Sequence, residues 1–262
     1  MATPEIDIIG TGNLASVLAP ALEQSGFIVN NVYSRNLKRA EKLANRLYQA
    51  NPTTILDFSR SKSNVFLLAI SDDAVEEVSR ELILPDQAVV AHTSGANPLS
   101  VLGYTASENI GVFYPLQTFT ANRKVSFDGV PILIEGENRY TRSNLTMIAK
   151  KLSGNVKEAS TKQRLRIHLA AVFASNFTNA ILQDAEDILE TANMNFDILV
   201  PLVIETIEKS FELGPKNAQT GPAIRGDLNI LERHMEMLEG LPEKQELYRL
   251  ISQHILDRNG KE

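Results

Sequence analysis

Apolar positions follow two different rhythms along this chain. Up to about residue 160 they fall in short runs, at 6–9, 27–33, 65–70, 88–91, 111–113, 131–134 and 156–159, with a weaker one at 54–56. Between several of these runs they recur at three- and four-residue spacing, at 14–24, 36–48, 71–82 and 139–152. Short buried strands alternating with amphipathic helices predict βαβ units and a mostly parallel sheet. Beyond 160 the rhythm is helical throughout. No Gly or Pro interrupts 161–191, and Leu165, Leu169, Val172, Phe173, Phe177, Ile181 and Ile188 form an apolar stripe. That predicts one helix of about 30 residues, roughly 45 Å long. Further helices are expected at 196–212, 227–238 and 243–256, with a conspicuous loop, GPKNAQTGPAIRGD, at 214–227. The expected fold is therefore α/β: a Rossmann-type, mostly parallel sheet over 1–160, then an all-helical domain over 161–262.

Composition narrows the function classes. A net charge of −6 and a pI near 5.4 give no basic face for a phosphate backbone, so nucleic acid is not an expected partner. No apolar run approaches the about 20 residues of a bilayer span, and the first residues lack a signal-peptide pattern, so no membrane partner is expected. With no cysteine there is no disulfide or thiolate chemistry, and the cytoplasm is the expected location. The acidic residues Asp184, Glu186, Asp187 and Glu190 spread around their helix with no histidine near. They read as a solvated face rather than a metal site.

The first strand runs into Gly10-Thr11-Gly12-Asn13-Leu14-Ala15 and then a helix. A lone G-x-G-x-x-[GA] means little, but here strand, glycine turn, helix and second strand follow in the order that binds a dinucleotide. Gly10 permits the tight turn. Gly12 lets a pyrophosphate approach the helix N-terminus, where first-turn N–H groups and the helix dipole favour anions. The plain alternative is a glycine turn that binds nothing. NAD sites usually place an Asp or Glu at the end of the second strand, for the ribose 2′-hydroxyl. This chain has Ser34, Arg35 and Asn36, followed by Lys38 and Arg39. Those residues suit a 2′-phosphate, so NADP is the expected cofactor; otherwise they are a basic, solvated helix start. After the 65–70 run, Ile70 and Ser71 should pass beneath the cofactor, with Asp72 or Asp73 capping the next helix.

The motifs GTGNLA, SRN, LLAISDDAV, VVAHTSGA and YPLQTF, then HLAAVFASNFTN and GPKNAQTGPAIRGD, resemble one bacterial family over nearly the whole chain. It joins a Rossmann-like NADP-binding domain to a helical domain of unknown function and is labelled NADP oxidoreductase. More distantly, the layout is similar to the 6-phosphogluconate dehydrogenase, 3-hydroxyisobutyrate dehydrogenase and pyrroline-5-carboxylate reductase group. The resemblance implies a helical domain like the C-terminal one of 6-phosphogluconate dehydrogenase, a homodimer formed through it, and closure over a nicotinamide. It names no substrate.

His92 and Ser94 end the 88–91 strand, where a histidine can relay a proton and a serine can bind a substrate carbonyl; the alternative is a self-satisfied turn. The related dehydrogenases carry a lysine one helical turn before an asparagine. Here the turn before Asn176 carries Val172, which leaves His168 as the ionisable group on that stripe. Asn176 is either a site residue or a buried helix–helix bond, and His168 either a catalyst or a packed interfacial histidine. Arg225, in the 214–227 loop, can grip a carboxylate or phosphate, or can pair with Asp227, which otherwise caps the next helix. The expected function is hydride transfer between NADP(H) and a small carbonyl, imine or hydroxy acid; the rival is an NADP-binding sensor or scaffold without turnover. An apolar stripe too long for its domain to cover also predicts a homodimer.

Overall fold

Alternation along the first strands decides the layering. Ile6 and Ile8 of β1 (Glu5–Ile9), with Val65 and Leu67 of β4 (Val65–Leu68), join one apolar core, while Ile9, Phe66 and Leu68 join another. A sheet apolar on both faces needs helices on both. The first core is closed by Leu18 and Leu22 of α1 (Asn13–Gln24), Leu43 of α2 (Leu37–Ala44), and Leu145 and Ile148 of α4 (Arg139–Leu152). The second is closed by Val75 and Val78 of α3 (Val75–Glu81) and by Leu102. The computed structural model describes residues 4–121, 123 and 125–259.

The other strands are β2 (Ile28–Tyr33), β3 (Asn51–Thr53), β5 (Val89–His92), β6 (Asn109–Pro115), β7 (Ile132–Gly136) and β8 (Val156–Glu158). Their order is β3-β2-β1-β4-β5-β6-β7-β8. Every neighbouring pair is parallel except β6 with β7. The strand order reverses between β1 and β4, and ligands of such sheets lie beyond the strand C-termini at that reversal. The edge strand forms at Asn51–Thr53 rather than 54–56; it holds no aliphatic residue, and Pro52 is tolerated because an edge needs fewer ladder donors.

β1 carries a buried carboxylate on its second face. Asp7 accepts from Ser61 Oγ (2.7 Å), Ser63 Oγ (2.8 Å), Asn31 N–H (2.9 Å) and Asn31 Nδ2 (3.0 Å). Burial raises its pKa above 3.8, and the hydrogen bonds pull the other way. An acid whose folded pKa is raised loses stability as pH climbs from its unfolded value through the folded one, because ionisation then favours the unfolded chain. Urea unfolding of Asp7→Asn should therefore gain relative to the unsubstituted protein between about pH 4 and 7. A constant difference across that range would contradict the assignment.

The described residues up to Asn176 form one compact unit and those from Phe177 a second. α5 (Thr161–Ala171) starts with a capping box: Ser160 Oγ accepts from Gln163 N–H, and the Gln163 side chain accepts from Ser160 N–H. Every residue of the expected helix over 161–191 is helical, but Val172–Phe177 form a π-helical turn before α6 (Thr178–Thr191). Its apolar spacing does not distinguish i→i+4 from i→i+5 pairing.

The second unit continues with α7 (Val200–Leu213), the single turns α8 (Pro215–Ala218) and α9 (Pro222–Arg225), then α10 (Leu228–Met237) and α11 (Pro242–Asn259). Each single turn follows a glycine at positive φ (Gly214 at 81°, Gly221 at 109°) and begins with proline, whose missing N–H is no loss there. The acidic run on α6 is more than a solvated face. Lys244 Nζ of α11 donates to Asp184 (2.7 Å) and Asp187 (2.8 Å).

Candidate functional site

At the end of β1 the chain turns at Gly10, whose N–H donates to the Tyr33 carbonyl (2.9 Å). Its φ is +124°, and a Cβ there would lie 2.1 Å from the Ala69 carbonyl oxygen. Only glycine lets this loop lie against the end of β4. Gly12 has a different reason. It is the N-cap of α1, no side chain caps it, and a Cβ would meet nothing within 4 Å. The first-turn N–H groups therefore open onto a groove of about 710 Å³. This is the cradle a diphosphate requires.

The second-strand end forms the groove's far wall. Ser34 is buried; its N–H donates to Thr53 O (3.1 Å), and its Oγ accepts from Asn36 N–H (3.2 Å) and lies 3.4 Å from Thr11 Oγ1. Asn36 Oδ1 caps α2 through Arg39 N–H. The turn thereby leaves Arg35 and Arg39 exposed on the groove. Residues 10–14, 34–36 and 70–71, all expected from sequence to bind the cofactor, line this one groove. Lys38 does not border it. Glu77 and Glu81 of α3 do, an acidic wall that sequence reasoning missed. Asp72 and Asp73 do not cap a helix with their side chains: Ser71 holds the N-cap position, again without a side-chain cap, and the two aspartates sit in the first turn.

A second cluster lies where β5 ends. His92 is fully buried, its Nδ1 accepts from Ser94 N–H (3.1 Å), and Nε2 has no hydrogen-bond partner. Burial, reinforced by the Arg164 charge, holds its pKa down to about 3, so it is neutral at pH 7. With Nδ1 accepting, the neutral ring carries its one proton on Nε2, and His92 lines neither the groove nor the pocket described below. Ser94 does line the groove, but its Oγ accepts from Ala96 N–H (3.0 Å) and Asn97 N–H (2.9 Å) and so shapes the turn. Its hydrogen can still reach a ligand.

Arg164 of α5 organises this turn, and sequence reasoning missed it. Its side chain is 1% exposed; Nη1 donates to the carbonyls of Ser94 (3.1 Å) and Gly95 (3.2 Å), and Nη2 to Glu135 Oε2 (3.2 Å). Glu135 Oε1 in turn accepts from Thr161 N–H and Oγ1, both at 2.7 Å. A Cβ on Gly95 would meet His168 Nδ1 at 2.5 Å and Tyr114 Cζ at 2.7 Å, so bare backbone is pressed onto those two rings. Tyr114 Oη and His168 Nδ1 are 3.0 Å apart with the rings edge-on. Burial raises the Tyr114 pKa, Arg164 opposing and Asp72 adding to the rise, so the phenol keeps its proton at pH 7.

Tyr114 and His168 border a pocket of about 430 Å³, together with Gln117, Thr118 and Asn176. Arg164 and His168 are four apart and share a helix face. His168 and Asn176 are eight apart, about 80° around a regular helix. The wider π turn between them brings both to one pocket; such turns recur at functional sites. Asn176 is exposed on that pocket in the single chain. In the second unit, Arg225 Nε and Nη2 both reach Asp227 Oδ2 at 2.8 Å. Both side chains of that pair are exposed, and Asp227 sits at the N-cap of α10 without capping it.

Geometry of this kind, a parallel sheet whose first glycine turn opens a groove at the strand-order reversal, defines a Rossmann-type nucleotide fold. Residues 2–112 match the Rossmann-like domain model and 130–255 the domain of unknown function DUF2520. No curated protein matches the sequence. Among solved structures, a putative NADP oxidoreductase from Bacteroides fragilis is 39% identical with a TM-score of 0.89, over 97% of this chain and 98% of that one. A protein from Thermotoga maritima is 22% identical with a TM-score of 0.71, over 98% of each chain. Prephenate dehydrogenase from A. aeolicus, solved with hydroxyphenyl propionate and NAD+, shares the fold at 15% identity and a TM-score of 0.59, over 100% of this chain and 99% of that one. The chain belongs to the family that joins a Rossmann-like domain to DUF2520.

Proposed function

We propose that the protein is an NADP-dependent oxidoreductase that moves a hydride between the nicotinamide and a small carbonyl, imine or hydroxy-acid substrate. One observation carries the reading: the uncapped N-terminus of α1 opens onto the same groove as Arg35 and Arg39, at a second-strand end without a carboxylate. The loop at 10–14 would hold the diphosphate through the free backbone N–H groups at its α1 end, and Ser34, Arg35 and Arg39 the 2′-phosphate. Bound there, the cofactor supplies a hydride. The name of the B. fragilis relative points the same way. Transfer of deuterium from specifically labelled NADPH to any member of a carbonyl, imine and hydroxy-acid panel tests it. Tight NADPH binding with no transfer across the panel would favour the sensor or scaffold reading instead.

The working form on this account is a homodimer through the helical unit. Ile181, Ile198, Leu202, Ile204, Phe211 and Met237 remain exposed, Phe211 at 83%. Apolar surface on that scale belongs in an interface. Sedimentation at micromolar concentration should give a dimer, and a monomer would contradict it. Among the described residues no helix is long and apolar enough to cross a membrane.

A further inference from the structure

Resting on the oxidoreductase reading, we propose that Tyr114 is the proton donor of the site, that His168 resupplies it, and that their pocket takes an uncharged carbonyl or imine. Position is the first argument. The turn Ser94-Gly95 has one residue on the nucleotide groove and the next pressed against both rings. One backbone segment thus joins the cofactor's groove to the dyad's pocket. That register is held from below by Arg164, which is itself fixed by Glu135. A dyad set in a wall this closely packed is pre-positioned for chemistry at the groove's edge.

Protonation is the second argument. Half-buried Tyr114 holds its proton at neutral pH, and its Oη lies 3.0 Å from Nδ1 of His168, a residue that lines the pocket. In the reducing direction the hydride adds to the substrate carbon and the C=O or C=N π pair moves to the heteroatom. That atom takes the Tyr114 Oη proton. The tyrosinate takes the proton of His168 Nδ1 while Nε2 accepts one from water, so the net input is one hydride from the reduced nicotinamide dinucleotide and one solvent proton. The reverse sequence serves oxidation.

Charge is the third. The polar wall residues Gln117, Thr118, Ser175 and Asn176 are neutral, and Leu116 and Phe119 are apolar. Among the described residues no lysine or arginine lines the pocket, and both Nη atoms of the buried Arg164 already donate, to Glu135 and two carbonyls. A substrate carboxylate would be desolvated there without a countercharge, which is costly.

The test compares the full-length protein with Tyr114→Phe and His168→Gln. By NMR, the His168 C2–H signal, identified by its loss in His168→Gln, should move between NADPH-loaded and NADP+-loaded protein. In single turnover, methyl pyruvate should oxidise bound NADPH at least about tenfold faster than pyruvate, the same ketone with a carboxylate. Tyr114→Phe should lose about 10²–10⁴-fold in that rate with NADPH affinity unchanged. A Tyr114→Phe rate within tenfold of the unsubstituted protein, or a His168 signal indifferent to the nicotinamide's redox state, overturns the dyad and leaves the oxidoreductase reading intact. Preference for pyruvate, or no oxidation with either probe, overturns the pocket assignment. Failure to bind NADPH at all overturns the parent reading.

Discussion

Arg164→Met is expected to lower the unfolding free energy by about 3–4 kcal/mol, read as a fall in the urea midpoint at unchanged slope. Methionine fills much of the space but donates nothing. The Ser94 and Gly95 carbonyls lose the guanidinium, and Glu135 keeps only its Thr161 bonds. Glu135 is 15% exposed, so water recovers part of its solvation and the loss sits at the lower end of the range for a broken buried pair. Adding Glu135→Leu to Arg164→Met should restore part of the stability, because it removes the stranded carboxylate. A loss below about 1 kcal/mol would mean that the pair is solvated and does not fix the turn.

Arg35→Glu is expected to weaken NADPH binding by about 100-fold or more while leaving NADH within a few-fold. The substitution removes one charge-assisted partner of the 2′-phosphate and adds a repulsive one. Its surroundings sharpen the effect, because Glu77 and Glu81 already line the groove. In the unsubstituted protein Arg35 and Arg39 offset that acidic wall; with Arg35 reversed, three carboxylates face the phosphate against Arg39. The NADPH preference should therefore invert rather than fade. Equal losses for the two dinucleotides would place Arg35 away from the 2′ position.

What the sequence made legible was whatever is written locally. The glycine turn, the Ser34–Asn36 turn and the apolar strands each depend on residues a few positions apart, and they form where expected. Edge strand β3 escaped because Asn51-Pro52-Thr53 carries no aliphatic signal. The second cluster escaped for a different reason: the bonds from α5 to Tyr114 and to the Ser94-Gly95 turn join residues 54 to 70 positions apart. Nothing in YPLQTF marks Tyr114 as the partner of His168. The i, i+4 spacing of Arg164 and His168 was the available hint, and it reads equally as a solvated helix face. His92 shows the converse: its residue type suggests chemistry, while nothing in the residue type told that it would be buried.

The central claim is a 2′-phosphate held by Arg35 and Arg39 beside a diphosphate on the α1 N-terminus. Fluorescence titration of the unsubstituted protein with NADPH and with NADH at one ionic strength tests it most directly. The account predicts NADPH tighter by at least about tenfold, the worth of one net charge-assisted contact. Equal affinity, or tighter NADH, would contradict it.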